Sequence, residues 1–384
     1  MDKPAFLPFT RPTIDAATID AVRDVLASGW ITSGPKVLEL EKTLSLLFGG
    51  RPVRAFSNGT ATMEVALRLA GIGAGDEVIT TPVTWVATAN VIVAVGARPV
   101  FVDIDPRTRN IDLAAVEAAV TSKTRAIMPV YLAGLPVDMD RLYGIARKRG
   151  LRVIEDAAQA IDSRWRDQRI GSFGDFASFS MQANKNITSA EGGFLVMTSE
   201  EDAERAERLR MQGIVRDGFD GMDMDELGGK SNLTDINAVI GLGQLRHLEA
   251  VTSRRAELAD EYFAQAKACE LVDLGIGLPP APDATGAVGN WHMFQVVLPV
   301  DRLVGGRAAV MSELRDAGIG TGVHYPAAHL FQYYRALGWR DGMLPHAERV
   351  GRAILTLPLF PAMQAADVAR VCRHLAAICK RLRS

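Results

Sequence analysis

Between residue 13 and about residue 200 the chain alternates short apolar runs with amphipathic segments, the pattern of a largely parallel sheet covered by helices. A helix is predicted over 60–69, with Met63, Ala66, Leu67 and Ala70 on one face. Strands are predicted at 76–80, 99–103, 126–131 and Arg152–Asp156, with helices at 90–95 and Met139–Arg149 between them. Several of these strands end on a polar residue followed by a loop. In open α/β sheets, ligands gather at those carboxyl ends.

Phe176–Ser180 and 193–197 read as a pair of strands flanking a polar connection. From 235 to about 267 one long helix is expected, with Ile236, Val239, Ile240, Leu242, Leu245 and Leu248 on its apolar stripe. Such a helix joins a large domain, 13–250, to a small C-terminal domain, 251–384, with residues 1–12 packing nearby. The small domain carries a strand at 293–298, a helix at 308–316 and a final helix at 367–382 whose basic end suits the helix dipole. Pro279-Pro280-Ala281-Pro282 marks a surface loop.

Composition removes several classes of function. Hydrophobic residues make up 48% of the 384, enough to bury a sizeable core. Forty-three Lys plus Arg against 45 Asp plus Glu leave a formal charge of −2, with no global pull toward nucleic acid or an anionic membrane. The three cysteines, Cys269, Cys372 and Cys379, form neither a metal cluster nor a disulfide framework, and a reducing cytoplasm is expected. Six histidines leave little material for a multi-histidine metal site. The N-terminus lacks a signal peptide's apolar segment, and the most apolar stretch, 91–97, is far shorter than the ~20 residues that span a bilayer.

Chemistry concentrates in four places. In Ser180-Met181-Gln182-Ala183-Asn184-Lys185-Asn186-Ile187-Thr188-Ser189-Ala190-Glu191-Gly192-Gly193, one lysine sits in a small-residue polar loop between two apolar runs. A surface lysine is the ordinary reading; a lysine whose surroundings free its lone pair forms a Schiff base with a carbonyl cofactor. Asp156, ending the strand 152–156, is either a helix cap or the carboxylate that pairs with a protonated pyridine nitrogen. A Schiff-base lysine with such an aspartate is the signature of pyridoxal phosphate enzymes. Ser57-Asn58-Gly59-Thr60-Ala61 fits a plain capped helix start or a phosphate cup at a helix N-terminus. Trp85, after the strand at 76–80, is a core tryptophan or a flat face for a pyridine ring. The joint order of phosphate loop, aromatic, aspartate and lysine, each after an apolar run, favours the cofactor reading.

These motifs resemble the DegT/StrS family of PLP-dependent sugar-nucleotide aminotransferases, of the aspartate-aminotransferase fold (fold type I). The likeness runs from Phe9-Thr10-Arg11-Pro12 and 28–35 through Gly75-Asp76-Glu77, Glu155-Asp156-Ala157-Ala158 and Lys185-Asn186-Ile187-Thr188. It ends with 318–325 and Leu357-Pro358-Leu359-Phe360-Pro361. The resemblance implies an α/β fold whose large PLP-binding domain holds a mostly parallel seven-stranded sheet. Lys185 matches the catalytic lysine, Asp156 the ring-nitrogen partner, Gln159 a neighbour of the cofactor's phenolic oxygen and Trp85 the stacking aromatic. Thr60, Ala61 and Ser180 match the phosphate site, and Asn232 an asparagine that reaches the phosphate from the other subunit of a homodimer. Trp30, Gln182, His324 and Tyr325 fall on the sugar-nucleotide side, and no metal is implied. L-Glutamate would donate the amino group, leaving 2-oxoglutarate, and a nucleotide-linked keto sugar would receive it, on a route to cell-surface polysaccharide or lipid A sugars. Within the family the nearest likeness is to UDP-4-amino-4-deoxy-L-arabinose–oxoglutarate aminotransferases.

The chain departs from that pattern at four positions. Met181-Gln182 stands where relatives read Phe-His, and Tyr131 and Gln212 replace histidines of the arabinose-type enzymes. Together these fit either drift at a position whose job is hydrogen bonding or an altered sugar-facing pocket for a different keto sugar. Lys185 separates the chain from related sugar dehydratases, which carry histidine there.

Overall fold

The computed structural model describes residues 5–282 and 285–383. Seven strands build the central sheet: β1 Val53–Phe56, β2 Glu77–Thr80, β3 Arg98–Phe101, β4 Thr124–Met128, β5 Arg152–Asp156, β6 Phe176–Ser180 and β7 Gly193–Val196. Their order across the sheet is β1-β7-β6-β5-β4-β2-β3. The pairs from β6 to β3 are parallel, and β7 runs antiparallel to both β6 and β1. The mostly parallel seven-stranded sheet expected from the sequence is present.

β2 and β7 are buried at every position and β5 at all but its first, because apolar helices cover both faces. Leu40, Leu44, Leu142 and Ile145 pack on one face. Met63, Ala66, Leu67, Val91, Ile92 and Leu209 pack on the other. The helix predicted at 60–69 is Gly59–Leu69, started by the Asn58 side chain, and Met139–Arg149 has its expected bounds between Asp138 and a left-handed Gly150. A separate core gathers Leu7 with residues from Leu258 to Cys379 around the pair Phe294–Val297 and Ile354–Leu357. Between the two lobes, the buried Arg109 guanidinium donates to the carbonyls of Gln295 and Leu278 at 2.8 and 2.7 Å. No helix among the described residues is long and apolar enough to cross a membrane.

The long helix expected over 235–267 is two helices, Asp235–Leu245 and Leu248–Ala268. His247 breaks it at φ −108°, and its Nε2 lies 2.7 Å from Asp15 Oδ2. The apolar period continues across the junction, so periodicity alone does not register a break set by a partner far away in sequence.

Asp235 shows how such distant partners shape the N-terminal region. Its buried carboxylate accepts from the backbone N–H of Gly34 and Val37, each at 2.9 Å, and of Lys36 at 3.1 Å. It thereby caps the helix Pro35–Leu47, whose own N-cap, Gly34, supplies no side chain. Asp235→Ala strands those amides and is expected to cost about 3 kcal/mol. A urea titration at fixed protein concentration, followed by circular dichroism, measures it.

Candidate active site

Asp156 ends β5 at the carboxyl edge of the sheet, its backbone N–H donating to Pro129 O at 2.9 Å. The carboxylate is buried. Thr88 Oγ donates to Oδ2 at 2.6 Å, and the Ala158 amide lies 3.2 Å from Oδ1. Thr84 Oγ stands 2.8 Å behind Thr88, so two hydroxyls in series point at the acid. Burial raises the Asp156 carboxyl above its ordinary range; Thr88, Ala158 and the charge of Lys185 oppose that rise. Asp156 is therefore more than a loop carboxylate, and the two threonines behind it had no signal in the sequence beyond their i, i+4 spacing.

Lys185 lies in the β6–β7 connection, its N–H donating to Gln182 O at 2.9 Å. The side chain is half-buried, not a surface lysine. Burial pushes its amine from 10.5 down to about 8, against the opposing pull of Asp156. An amine with that value is uncharged in an appreciable fraction near neutrality.

Gln159 and Tyr325 join the same group. Gln159 is buried, its Oε1 accepts from the Ala133 amide at 2.7 Å, and its Nε2 donates to Tyr325 Oη at 3.2 Å. Tyr325, expected on the sugar side, thus shares a hydrogen bond with a residue expected at the cofactor. Its buried phenol is pushed up by desolvation and by Asp156. Trp85 lies 6.2 Å from the Tyr325 ring, centroid to centroid, and is 63% exposed. The core-tryptophan alternative is excluded, and the ring offers an open face. His324 stacks on Phe9 at 5.1 Å and has Nδ1 2.9 Å from Thr356 Oγ. Burial, then Lys185, brings it down to about 4.

The first turn of Gly59–Leu69 sits against β6 and β7 because small residues allow it. A Cβ on Gly193 would fall 2.6 Å from Gly59 N, and one on Gly59 would fall 3.1 Å from Ser180 Cβ. Asn58 Oδ1 accepts from the Ala61 amide at 2.8 Å, so that N–H already serves the cap. The amides of Gly59 and Thr60 have no partner inside a helix and suit an anion beside Ser180. Ser180 Oγ itself accepts from the Gln182 amide at 3.3 Å. Gln182 in turn uses Oε1 to accept from Asn184 N at 3.1 Å, so its side chain braces the loop that carries Lys185.

Trp30 and Asn232 form a second group around Ser33. Asn232 Nδ2 donates to Ser33 Oγ at 2.6 Å, and Trp30 Nε1 to Ser33 O at 3.3 Å. The preceding Ser231 carbonyl accepts from Ser57 N at 2.7 Å, and Asn232 bridges Phe56, the last residue of the strand that leads to the cup. Within one chain no hydrogen bond among the described residues ties Trp30 or Asn232 to Lys185.

The expectation that Tyr131, Gln182 and Gln212 reshape one pocket is corrected. Tyr131 is fully buried in the core with its hydroxyl 3.4 Å from Met139 Sδ. Gln212 is exposed at a left-handed turn, φ 68°, where its N–H donates to Gly229 O. Only Gln182 borders the Lys185 loop. Three residues that the sequence did not single out, Asn186, Asn290 and His292, tie that loop to the smaller lobe.

A desolvated amine, a hydrogen-bonded buried carboxylate, an open aromatic face and a helix N-terminus surround one mouth. That donor set fits pyridoxal phosphate: Lys185 for its carbonyl carbon, Asp156 for its ring nitrogen, Trp85 for its face, and Gly59, Thr60 and Ser180 for its phosphate. Among the described residues no group of three side chains suits a metal ion.

The DegT/DnrJ/EryC1/StrS aminotransferase family matches residues 12–376. Spr1654 of Streptococcus pneumoniae, described as a candidate sugar aminotransferase, is 32% identical in its PLP form, with TM-score 0.92 over 99% of this chain and 100% of that one. The aminotransferase TlmJ of Streptoalloteichus hindustanus is 31% identical, with TM-score 0.90 over 98% and 100%. Helicobacter pylori PseC, an aminotransferase involved in pseudoaminic acid biosynthesis, is 25% identical, with TM-score 0.90 over 98% and 100%.

The electrostatics make one prediction about the cofactor-free protein. Acylation of Lys185 by an amine reagent, read by peptide mass spectrometry, should reach half-extent near pH 8 rather than 10.5. Because Asp156 supports the charged amine, Asp156→Asn should move that midpoint to lower pH.

Proposed function

The chain belongs to the DegT/DnrJ/EryC1/StrS aminotransferase family, whose cofactor is pyridoxal 5′-phosphate, and from that premise we propose that it moves the amino group of L-glutamate to the keto group of a nucleotide-linked sugar. A 4-keto sugar, of the kind that supplies cell-surface polysaccharide or lipid A, is the substrate class we assign. The observation that carries the reading is the pairing of Asp156, buried and held by Thr88, with a Lys185 amine brought down to about 8. The pseudoaminic acid role of the Helicobacter relative supports the sugar class.

Bound pyridoxal phosphate supplies a carbonyl that takes up an amino group and a ring that draws electrons from the carbon losing its proton. Asp156, held in place by Thr88 and the Ala158 amide, would face the ring nitrogen and favour its protonated form. Lys185 Nζ would hold the cofactor's carbonyl carbon and, once displaced by the donor amine, would serve as the base that takes the donor's α-proton and the acid that delivers it to the former carbonyl carbon. Gln159 and Tyr325, locked to each other, hold a dry polar wall beside this transfer. His324 stays neutral and offers hydrogen bonding without charge. The two half-reactions share one site and alternate, so ping-pong kinetics are expected.

We also assign a homodimer whose sites are shared. Trp85 and Trp30 are 63% and 59% exposed, and the hairpin Ile214–Asp217 with Gly221–Met224 displays Phe219, Met222 and Met224 to solvent. Apolar surface of that kind suits burial against a second copy.

Three experiments test these readings. Lys185→Ala should bind the cofactor without covalent attachment and lose glutamate turnover by about 10⁴-fold or more, as removal of a covalent and acid–base group does. Wild-type protein loaded with glutamate should regain its visible absorption with a nucleotide-linked 4-keto sugar from a panel. Recovery with a 2-oxo acid but with no sugar would reject the assignment. For the shared site, Lys185→Ala and Asn232→Ala, each inactive alone, should regain about a quarter of wild-type activity when unfolded and refolded together, because only mixed dimers then hold one intact site. No recovery would place Asn232 in its own subunit's site.

A further inference from the structure

The segment Asn290-Trp291-His292 reaches from the smaller lobe into the wall behind Lys185. Asn290 Nδ2 donates to the carbonyls of Gln159 at 3.0 Å and Ile161 at 2.7 Å. Asn186, the residue after Lys185, donates through Nδ2 to Asn290 O at 3.0 Å. That commits the amide nitrogen of Asn186 and leaves its Oδ1 facing His292 Nδ1 at 3.1 Å. An amide oxygen only accepts, so Nδ1 carries the hydrogen, and a neutral ring then has its lone pair on Nε2. Burial opposes the protonation of the ring, and the charges of Lys185 and Arg255 act in the same direction.

The backbone beside it is held in an unfavourable state. Trp291 has φ 49°, a left-handed conformation that a bulky residue adopts only where its surroundings over-determine it. Those surroundings are visible. The buried Arg255 guanidinium donates to the carbonyls of Trp291 at 3.2 Å, His292 at 3.1 Å and Leu359 at 3.1 Å. The Trp291 ring packs on Phe263 and Phe294 at 5.7 and 6.0 Å. Considerable structure is spent on directing one imidazole at the neighbour of the reactive lysine.

We infer that His292 is a positioning residue for Lys185: its Nδ1–H bond to Asn186 Oδ1, with Asn290 on Gln159, clips the Lys185 loop to the strand-end wall and fixes the direction of the free amine. The inference rests on the aminotransferase reading for the reaction but not for the placement of Lys185.

Four full-length variants test it: His292→Ala, His292→Asn, His292→Gln and Asn186→Ala. An asparagine amide places its N–H near the Nδ1 position, whereas a glutamine places it near Nε2. The readouts are the pH midpoint of Lys185 acylation in cofactor-free protein, kcat and KM of the glutamate half-reaction in loaded protein, and the thermal midpoint. His292→Ala and Asn186→Ala are expected to lower kcat by about 100-fold with KM little changed, the usual consequence of misplacing a reacting group by about 1 Å. Both should also shift the acylation midpoint. His292→Asn should restore kcat to within about tenfold of wild type, and His292→Gln should not. Unchanged kcat and midpoint in His292→Ala would overturn the inference, as would rescue by glutamine and not asparagine, which would put Nε2 to work instead. Should His292→Ala fail to fold, Asn186→Ala breaks the same bond from the other side. Wild-type protein that never attaches its cofactor to Lys185 would reject the reaction, while the acylation midpoints still decide the positioning role.

Discussion

Everything in the site depends on burying an acid and an amine within electrostatic reach of each other and treating them differently. Desolvation disfavours the charged form of both. Asp156 is compensated by a hydroxyl and an amide, whereas no hydrogen bond to Lys185 Nζ exists among the described residues. The carboxylate is therefore fixed in place and the amine is free. A carboxylate that stays ionised beside a cationic ring, and an amine that can leave, pick up a proton and come back, are what a transamination asks of a protein. The asymmetry comes from Thr88, not from the acid and the base themselves.

The sheet's connectivity brings these groups to one edge. β5 ends in Asp156, and β6, parallel to it, ends in Ser180 at the same edge. Because β7 returns antiparallel, the loop carrying Lys185 spans the carboxyl ends, with Gly193 entering β7 directly against Gly59. An all-parallel arrangement would have needed a crossover there, and the helix start could not have closed on the loop. Two glycines and a serine at that junction let backbone amides, rather than bulky side chains, face the mouth.

Much of this was legible in the sequence. Lys185 between two apolar runs, Asp156 at a strand end and a hydroxyl-rich helix start are local patterns, and local patterns survive without knowledge of the fold. What failed to register was pairing across long separations. Thr88 meets Asp156 across 68 residues, and His292 meets Asn186 across 106. His292 reads in the sequence as one polar residue inside Trp-His-Met-Phe, and nothing nearby names its partner. Tyr131 failed for another reason. It follows β4, where the strand's two-residue alternation no longer fixes the direction of a side chain, and it turned into the core instead of the mouth. Trp85 could not be told from a core tryptophan until its surface was seen open.

The protonation states around Lys185 explain why a glutamine is tolerated at position 182. His324 is brought down to about 4, His292 also lies below the ordinary histidine range, and Tyr325 is pushed above the ordinary phenol value. Each is held toward its uncharged form across the neutral range. That leaves Lys185, at about 8, as the group beside the reacting carbon whose protonation state changes near neutrality. A further histidine at 182 would add a second titrating group to a site otherwise arranged to have one. Gln182 instead spends its carbonyl oxygen on the Asn184 amide and stiffens the loop. On the proposed reaction the acid–base work would fall to a single amine, with neighbouring side chains that favour their neutral forms.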